Sequence, residues 1–394
     1  MYRAVMVLLF GLSGLGFFGT QIYAVQAAEF ELRDGDRVVL LGGTLIEREQ
    51  NYGYWETMLT ARNAEKNIVF RNLGWSGDTV FADARGGFGT PADGFREMQE
   101  LVEALKPTVI FANYGANEAF EGAAGLSRFR NGLDALLDML DATKARICLI
   151  SPPPHEKLGP PLPDPESYNR GLAAYRDALR EAAERRSYGF VDLFTLFGEL
   201  NLQPGEHLTD NGVHLTAYGY WRTAEALAKG LGLPVQPAET EFSIKDATSA
   251  NPLRFQRGNL MAPPPAAVAS APRPAAARTI IVQGLEQGVY KLMIDGKLAA
   301  SASAEQWAKG VAIKSAPDDA QAEQLRQAII RKNKLYFHRW RPQNVTYLFG
   351  FRKHEQGQNA KEIVQFDPLI AAEEELIRKL KTPATHACEF IKNN

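Results

Sequence analysis

Four short stretches of this sequence hold the parts of one reaction. Gly42-Gly43-Thr44 ends in a hydroxyl, and Gly74-Trp75-Ser76-Gly77-Asp78-Thr79 is a glycine-rich turn with backbone N–H groups to offer. Gly115-Ala116-Asn117-Glu118 presents a carboxamide, and Asp210-Asn211-Gly212-Val213-His214 an imidazole. A nucleophile, hydrogen-bond donors for a developing oxyanion and a base are what acyl transfer requires. Plainer roles exist for each. Thr44 suits the cap of a helix beginning near Ile46. Asn117 suits a turn, and His214 a hydrogen-bonded core position. Gly74 and Gly77 serve tight backbone under either reading.

These stretches owe their positions to the elements before them. Short apolar runs at 37–41, 67–73, 108–113, 146–150 and 189–193 alternate with amphipathic runs at 54–65, 94–105, 126–140, 167–186 and 217–231. Strands joined by crossover helices give a parallel sheet, and in such sheets ligands bind beyond the carboxyl ends of the strands. The fold expected is therefore α/β, with the four stretches converging on one sheet edge. Leu133, Leu136, Leu137 and Leu140 recur at helical spacing and are expected to pack on the sheet.

The same residues resemble the SGNH (GDSL-type) hydrolase family over roughly residues 36–233. Gly42-Gly43-Thr44-Leu45 resembles its nucleophile block, residues 72–79 its glycine block, Gly115-Ala116-Asn117-Glu118 its asparagine block, and Asn211-Gly212-Val213-His214-Leu215 its final block. The resemblance implies a three-layer α/β/α sandwich of flavodoxin-like type with a parallel five-stranded sheet, ester hydrolysis without metal or cofactor, and a small ester or acylated carbohydrate as substrate. It places the nucleophile at Thr44, the oxyanion donors at the Thr44 and Gly74 backbones and the Asn117 side chain, and the base at His214. Trp75 and Glu118 are the candidates for substrate contact.

Two departures bear on the chemistry. Gly-Asp-Ser in the family is Gly42-Gly43-Thr44 here, so the hydroxyl gains a methyl that restricts χ1 and crowds an approaching acyl carbon. The family's acid three residues before the histidine is Asn211, leaving Asp210 as the neighbouring carboxylate. In a serine protease the corresponding Asp to Asn change lowers kcat by about 10⁴, while Cys-His-Asn proteases orient an imidazole with an amide. Either Asn211 or Asp210 orients His214, or His214 activates a water that Thr44 positions, or the cleft is a silent glycan-binding module.

Composition bounds the rest. With 394 residues, 45% hydrophobic and 23% charged, the chain is of ordinary globular make-up, and a net charge of −2 gives no global attraction to nucleic acid or anionic lipid. Cys148 and Cys388 are too few for a disulfide framework and are expected as free thiols. His155 and His207 lack partners at metal-ligand spacing. There is no Gly-x-Ser-x-Gly elbow, and the glycines at 87–92 read as a structural loop.

Residues 1–28 read as a secretory signal, so the mature chain is expected in the periplasm or outside the cell, with no membrane span after cleavage. An α/β unit is expected over 29–234 and a smaller α+β unit over 235–394, with a Pro- and Ala-rich linker at 261–278. Asp295-Gly296 signals a hairpin. Helices are expected at 318–331 and 368–380. Aromatic and cationic residues alternate over 332–353, which reads as a β segment with rings inward and cations outward, or as a glycan-stacking surface.

Overall fold

The computed structural model describes residues 30–233, 239–243, 253–257, 278–313, 317–355 and 358–393. The stretch read as a signal and the Pro- and Ala-rich stretch up to residue 277 lie outside them. Strands β1 (Arg37–Gly42), β2 (Val69–Gly74), β3 (Val109–Asn113), β4 (Arg146–Ile150) and β5 (Gly189–Val191) form one parallel sheet in the order β2-β1-β3-β4-β5. Between and after them run α1 (Thr44–Tyr52), α2 (Tyr54–Arg62), α3 (Pro91–Leu105), α4 (Gly122–Ala142), α5 (Glu166–Arg186), α6 (Leu193–Gly198) and α7 (Ala217–Gly230).

A strand's side chains alternate between faces, so β1 feeds two cores. Val38 and Leu40 pack with Ile46, Trp55 and Tyr218 on one side; Val39 and Leu41 pack with Met98, Leu136 and Leu179 on the other. This is the three-layer α/β/α sandwich. Leu133, Leu136, Leu137 and Leu140 are all buried in the second core, as their spacing requires. The glycines at 87–92 lead into α3, whose first turn is closed by a capping box: the Thr90 N–H donates to Asp93 Oδ2 at 2.8 Å and the Asp93 N–H to Thr90 Oγ1 at 3.3 Å. Cys148 and Cys388 are buried and form no disulfide with each other. Among the described residues no helix is long and apolar enough to cross a membrane.

The remaining elements are β6 (Glu239–Ser243), β7 (Leu253–Arg257), β8 (Arg278–Gln283), β9 (Val289–Ile294), β10 (Lys297–Ser303), α8 (Ala304–Lys309), β11 (Val311–Ile313), α9 (Pro317–Trp340), α10 (Val345–Leu348), α11 (Phe366–Leu380) and β12 (His386–Lys392). The strands make an antiparallel sheet, β10-β9-β12-β7, and a three-stranded sheet, β11-β8-β6. Asp295 and Gly296 turn β9 into β10 with φ of 48° and 76°, the paired positive values of a tight hairpin.

The β segment expected over 332–353 is corrected: α9 continues to Trp340 and α10 follows. The reason is tertiary. Helix α9 lies on α1, α2 and the edge strand β2, with Tyr336 entering the sandwich core. Lys332 is buried there, its Nζ 2.5 Å from Glu56 Oε1 and 3.1 Å from the Phe70 carbonyl, while Asn333 Nδ2 donates to Glu56 Oε2 at 2.7 Å. Arg71 of β2 pairs with Glu374 of α11 at 2.5 Å. The two helices therefore cover an edge that would otherwise offer unpaired backbone.

Candidate active site

Helix α1 begins at once after β1 because two glycines let backbones touch. A Cβ on Gly42 would overlap the Asn113 carbonyl oxygen, and one on Gly74 would overlap the Glu47 amide. Gly43 takes the cap position and makes no side-chain bond, so Thr44 is the first helical residue and not the cap. Its N–H belongs to the first turn, where donors lack helical partners and negative charge is favoured. Thr44, Asn117 and His214 line one cavity at the carboxyl edge of the sheet, together with Arg48, Glu118 and His155.

The glycine-rich turn supplies a donor at a different place from the one expected. The Gly74 N–H is engaged by Asn72 Oδ1 at 2.8 Å, whereas the Gly77 N–H points to Thr44 Oγ1 at 3.3 Å. Gly77 has a φ of 81°, and that left-handed backbone turns its amide inward. Asn117 Nδ2 donates to the Asp78 carbonyl at 2.7 Å, which fixes the amide and leaves its second N–H for another acceptor. Behind this wall Asp78 and Arg85 form a buried pair at 2.7 Å, and Arg85 Nη2 reaches the Leu73 carbonyl at 2.8 Å.

Glu118 is a brace. Its Oε1 accepts the Val80 N–H at 2.8 Å and its Oε2 the Gly115 N–H at 2.9 Å, tying the asparagine stretch to the glycine turn. Burial pushes its carboxyl up to about 7, against the lowering effect of those bonds. Trp75 lies outside the cavity wall. Its ring sits under the Arg341 guanidinium, 3.5 Å from centroid to carbon, and 5.9 Å from the Trp340 ring.

His214 hangs on a loop held by Glu156, whose Oε2 accepts the Thr209 N–H at 2.8 Å and the Thr209 hydroxyl at 2.5 Å. Asn211 Nδ2 is 3.0 Å from His214 Nδ1. Asp210 turns away from the ring to Arg48, with Oδ2 3.1 Å from Nη2. Burial holds His214 below the usual histidine range; Arg48 adds to this and Asp210 opposes it. Among the described residues no hydrogen bond joins Thr44 to the His214 ring.

Three residues near the site were given no part in it by the sequence reading. Arg48 stands one helical turn after Thr44, a spacing that was legible once α1 was assigned. Gly77 sits in the same motif as Gly74 and differs in where its N–H points, to Thr44 Oγ1 and not to Asn72. His155 carried no local signal. Its ring stacks on Tyr168 with centroids 4.1 Å apart, and burial with the nearby His214 pushes it down to about 4.

A hydroxyl at a helix N-terminus, convergent N–H donors and an imidazole around one cavity are equipped for acyl transfer. The GDSL-like lipase/acylhydrolase family matches residues 8–222, more than half the chain. The chain belongs to that family. It is an ester-hydrolysing enzyme by family. Among solved structures, a gut microbial diltiazem-metabolizing enzyme is similar at a TM-score of 0.69 and 16% identity, over 93% of this chain and 100% of its own. That likeness is one of fold, and it extends across the carboxyl-terminal region. A catalytic variant of Axe2, an acetylxylan esterase from Geobacillus stearothermophilus, has a TM-score of 0.43 at 20% identity, with 52% of this chain and 98% of that one covered. No curated protein matches the sequence.

Proposed function

We propose that this hydrolase cleaves a small ester of a ring-bearing alcohol, an acylated carbohydrate being the substrate class that fits best. The chain is placed outside the cytoplasm on the reading of residues 1–28. Thr44 Oγ1 attacks the acyl carbon, and His214 takes its proton and returns it to the departing alcohol. Water then releases the acyl group from Thr44. The Thr44 and Gly77 N–H groups and the Asn117 amide are the donors for the tetrahedral oxyanion. The observation that carries this reading is that Thr44, Asn117 and His214 share one cavity wall.

The preference for a ring comes from the groove next door. It shares His155 and Val213 with the cavity and is lined by Phe120, which is 69% exposed, and by Tyr168. Phe120 and Tyr168 centroids are 4.6 Å apart, an aromatic surface suited to the apolar face of a pyranose.

Turnover of acetyl esters by the purified protein and by Thr44→Ala, His214→Ala and Thr44→Ser decides the matter. Both alanine variants are expected to lose activity and the serine variant to keep or exceed it. Equal rates in wild type and both alanine variants would sink the assignment. Acetylated xylooligosaccharides compared with aliphatic esters of the same acyl group test the ring preference.

A further inference from the structure

The carboxamide of Asn211 has a fixed orientation. Its Oδ1 receives the backbone N–H groups of Val213 at 3.1 Å and His214 at 2.9 Å. Turning the amide over would set its NH2 against both of those donors, so Oδ1 stays and Nδ2 faces His214 Nδ1 at 3.0 Å. An amide nitrogen only donates, and Nδ1 can receive that bond only through its lone pair. Neutral imidazole has a single N–H, so the proton must then sit on Nε2. Asp210 turns its Oδ2 to Arg48, and among the described residues it makes no side-chain hydrogen bond to the ring.

From this geometry we infer that Asn211 is a positioning residue that holds neutral His214 as the Nε2–H tautomer, a hydrogen-bond donor towards the cavity and not a ready base. To take a proton from Thr44, Nε2 must first give up its own and Nδ1 must gain one. That form loses the Asn211 bond and sets two donors face to face. A carboxylate at the same position would keep the loop, one oxygen accepting from Val213 and His214, and would accept the Nδ1–H with the other. The inference rests on the hydrolytic reading only for its kinetic consequence; the tautomer itself does not depend on it.

Nitrogen NMR of protein labelled at histidine, at a pH where His214 is neutral, reads the tautomer directly, the signals being assigned by their loss in His214→Gln. Wild type is expected to show an unprotonated Nδ1 and a protonated Nε2, and Asn211→Asp the reverse. Asn211→Asp is also expected to raise kcat by roughly 10²- to 10⁴-fold, the scale on which the opposite change impairs a serine protease. That gain should vanish when Thr44→Ala is added. A protonated Nδ1 in the wild type would overturn the inference, and this spectrum decides even if the variant does not fold. A reversed tautomer with no gain in rate, and rates indifferent to Thr44→Ala, would overturn the hydrolytic reading and leave the tautomer assignment standing.

Discussion

The Arg341 guanidinium lies 3.5 Å over the Trp75 ring and donates to Glu47 Oε2 at 3.2 Å, while the same carboxylate oxygen accepts the Ser76 N–H. A residue just past the end of α9 thus grips both the turn that carries Gly77 and the first turn of α1 that carries Thr44. Arg341→Ala should loosen the two against each other. We expect kcat to fall about tenfold with little change in KM, because a small misplacement of reacting groups weighs on the transition state. Arg341→Lys, which keeps the charge but not the flat guanidinium, should recover only part of the loss. An unchanged kcat in the alanine variant would show that the carboxyl-terminal arm does not support the site.

Asn117 is held by the Asp78 carbonyl and presents its remaining N–H beside Thr44. Removing one oxyanion donor typically lowers kcat by about 10² to 10³. Asn117→Ala is expected to fall in that range in steady-state kinetics on an acetyl ester. A change in KM alone would assign the amide to ground-state binding.

The Lys332–Glu56 pair is fully buried between α9 and α2. Lys332→Met leaves the buried Glu56 carboxylate without its cation, with the Asn333 amide still on Oε2, and losing one partner of such a pair costs about 3–5 kcal/mol. Denaturant unfolding should show this loss, and adding Glu56→Gln should restore part of it. Equal stability of Lys332→Met and wild type would mean that the pair contributes nothing.

Burial pushes the Glu49 carboxyl from 4.5 up to about 8, although it accepts the N–H groups of Trp55 and Glu56 through Oε1. Between those two values the folded chain holds a proton that the unfolded chain has released. Stability therefore falls as pH rises through that window, by up to about 1.4 kcal/mol per pH unit from this group. Glu49→Gln has no proton to lose, so its stability relative to wild type should grow from pH 5 to pH 8. Parallel stability–pH curves for the two proteins would contradict this.

Most of the sandwich was legible because its strands are buried on both faces and read as short apolar runs between amphipathic helices. All five appeared within a few residues of their place, and the four loop stretches did gather at one edge. What was not legible depends on partners distant in sequence. The end of α9 looked like a strand since its rings and cations alternate, yet Lys332 is drawn into a helix by Glu56, 276 positions away. The Gly74 amide is turned from the cavity because a side chain, Asn72, captures it, and the Gly77 amide is the one that meets Thr44. The place of Asp210 was settled by Arg48, 162 positions away in the chain.

Strand β12 runs between β9 and β7, so residues 386–392 join segments that begin at 289 and 253. Helices α9 and α11 intervene. The sheet is completed by the strand that comes latest in the chain of its four, and such remote pairings are slow to form. Refolding should thus proceed in two stages, with the catalytic half acquiring its shape while this sheet is still incomplete.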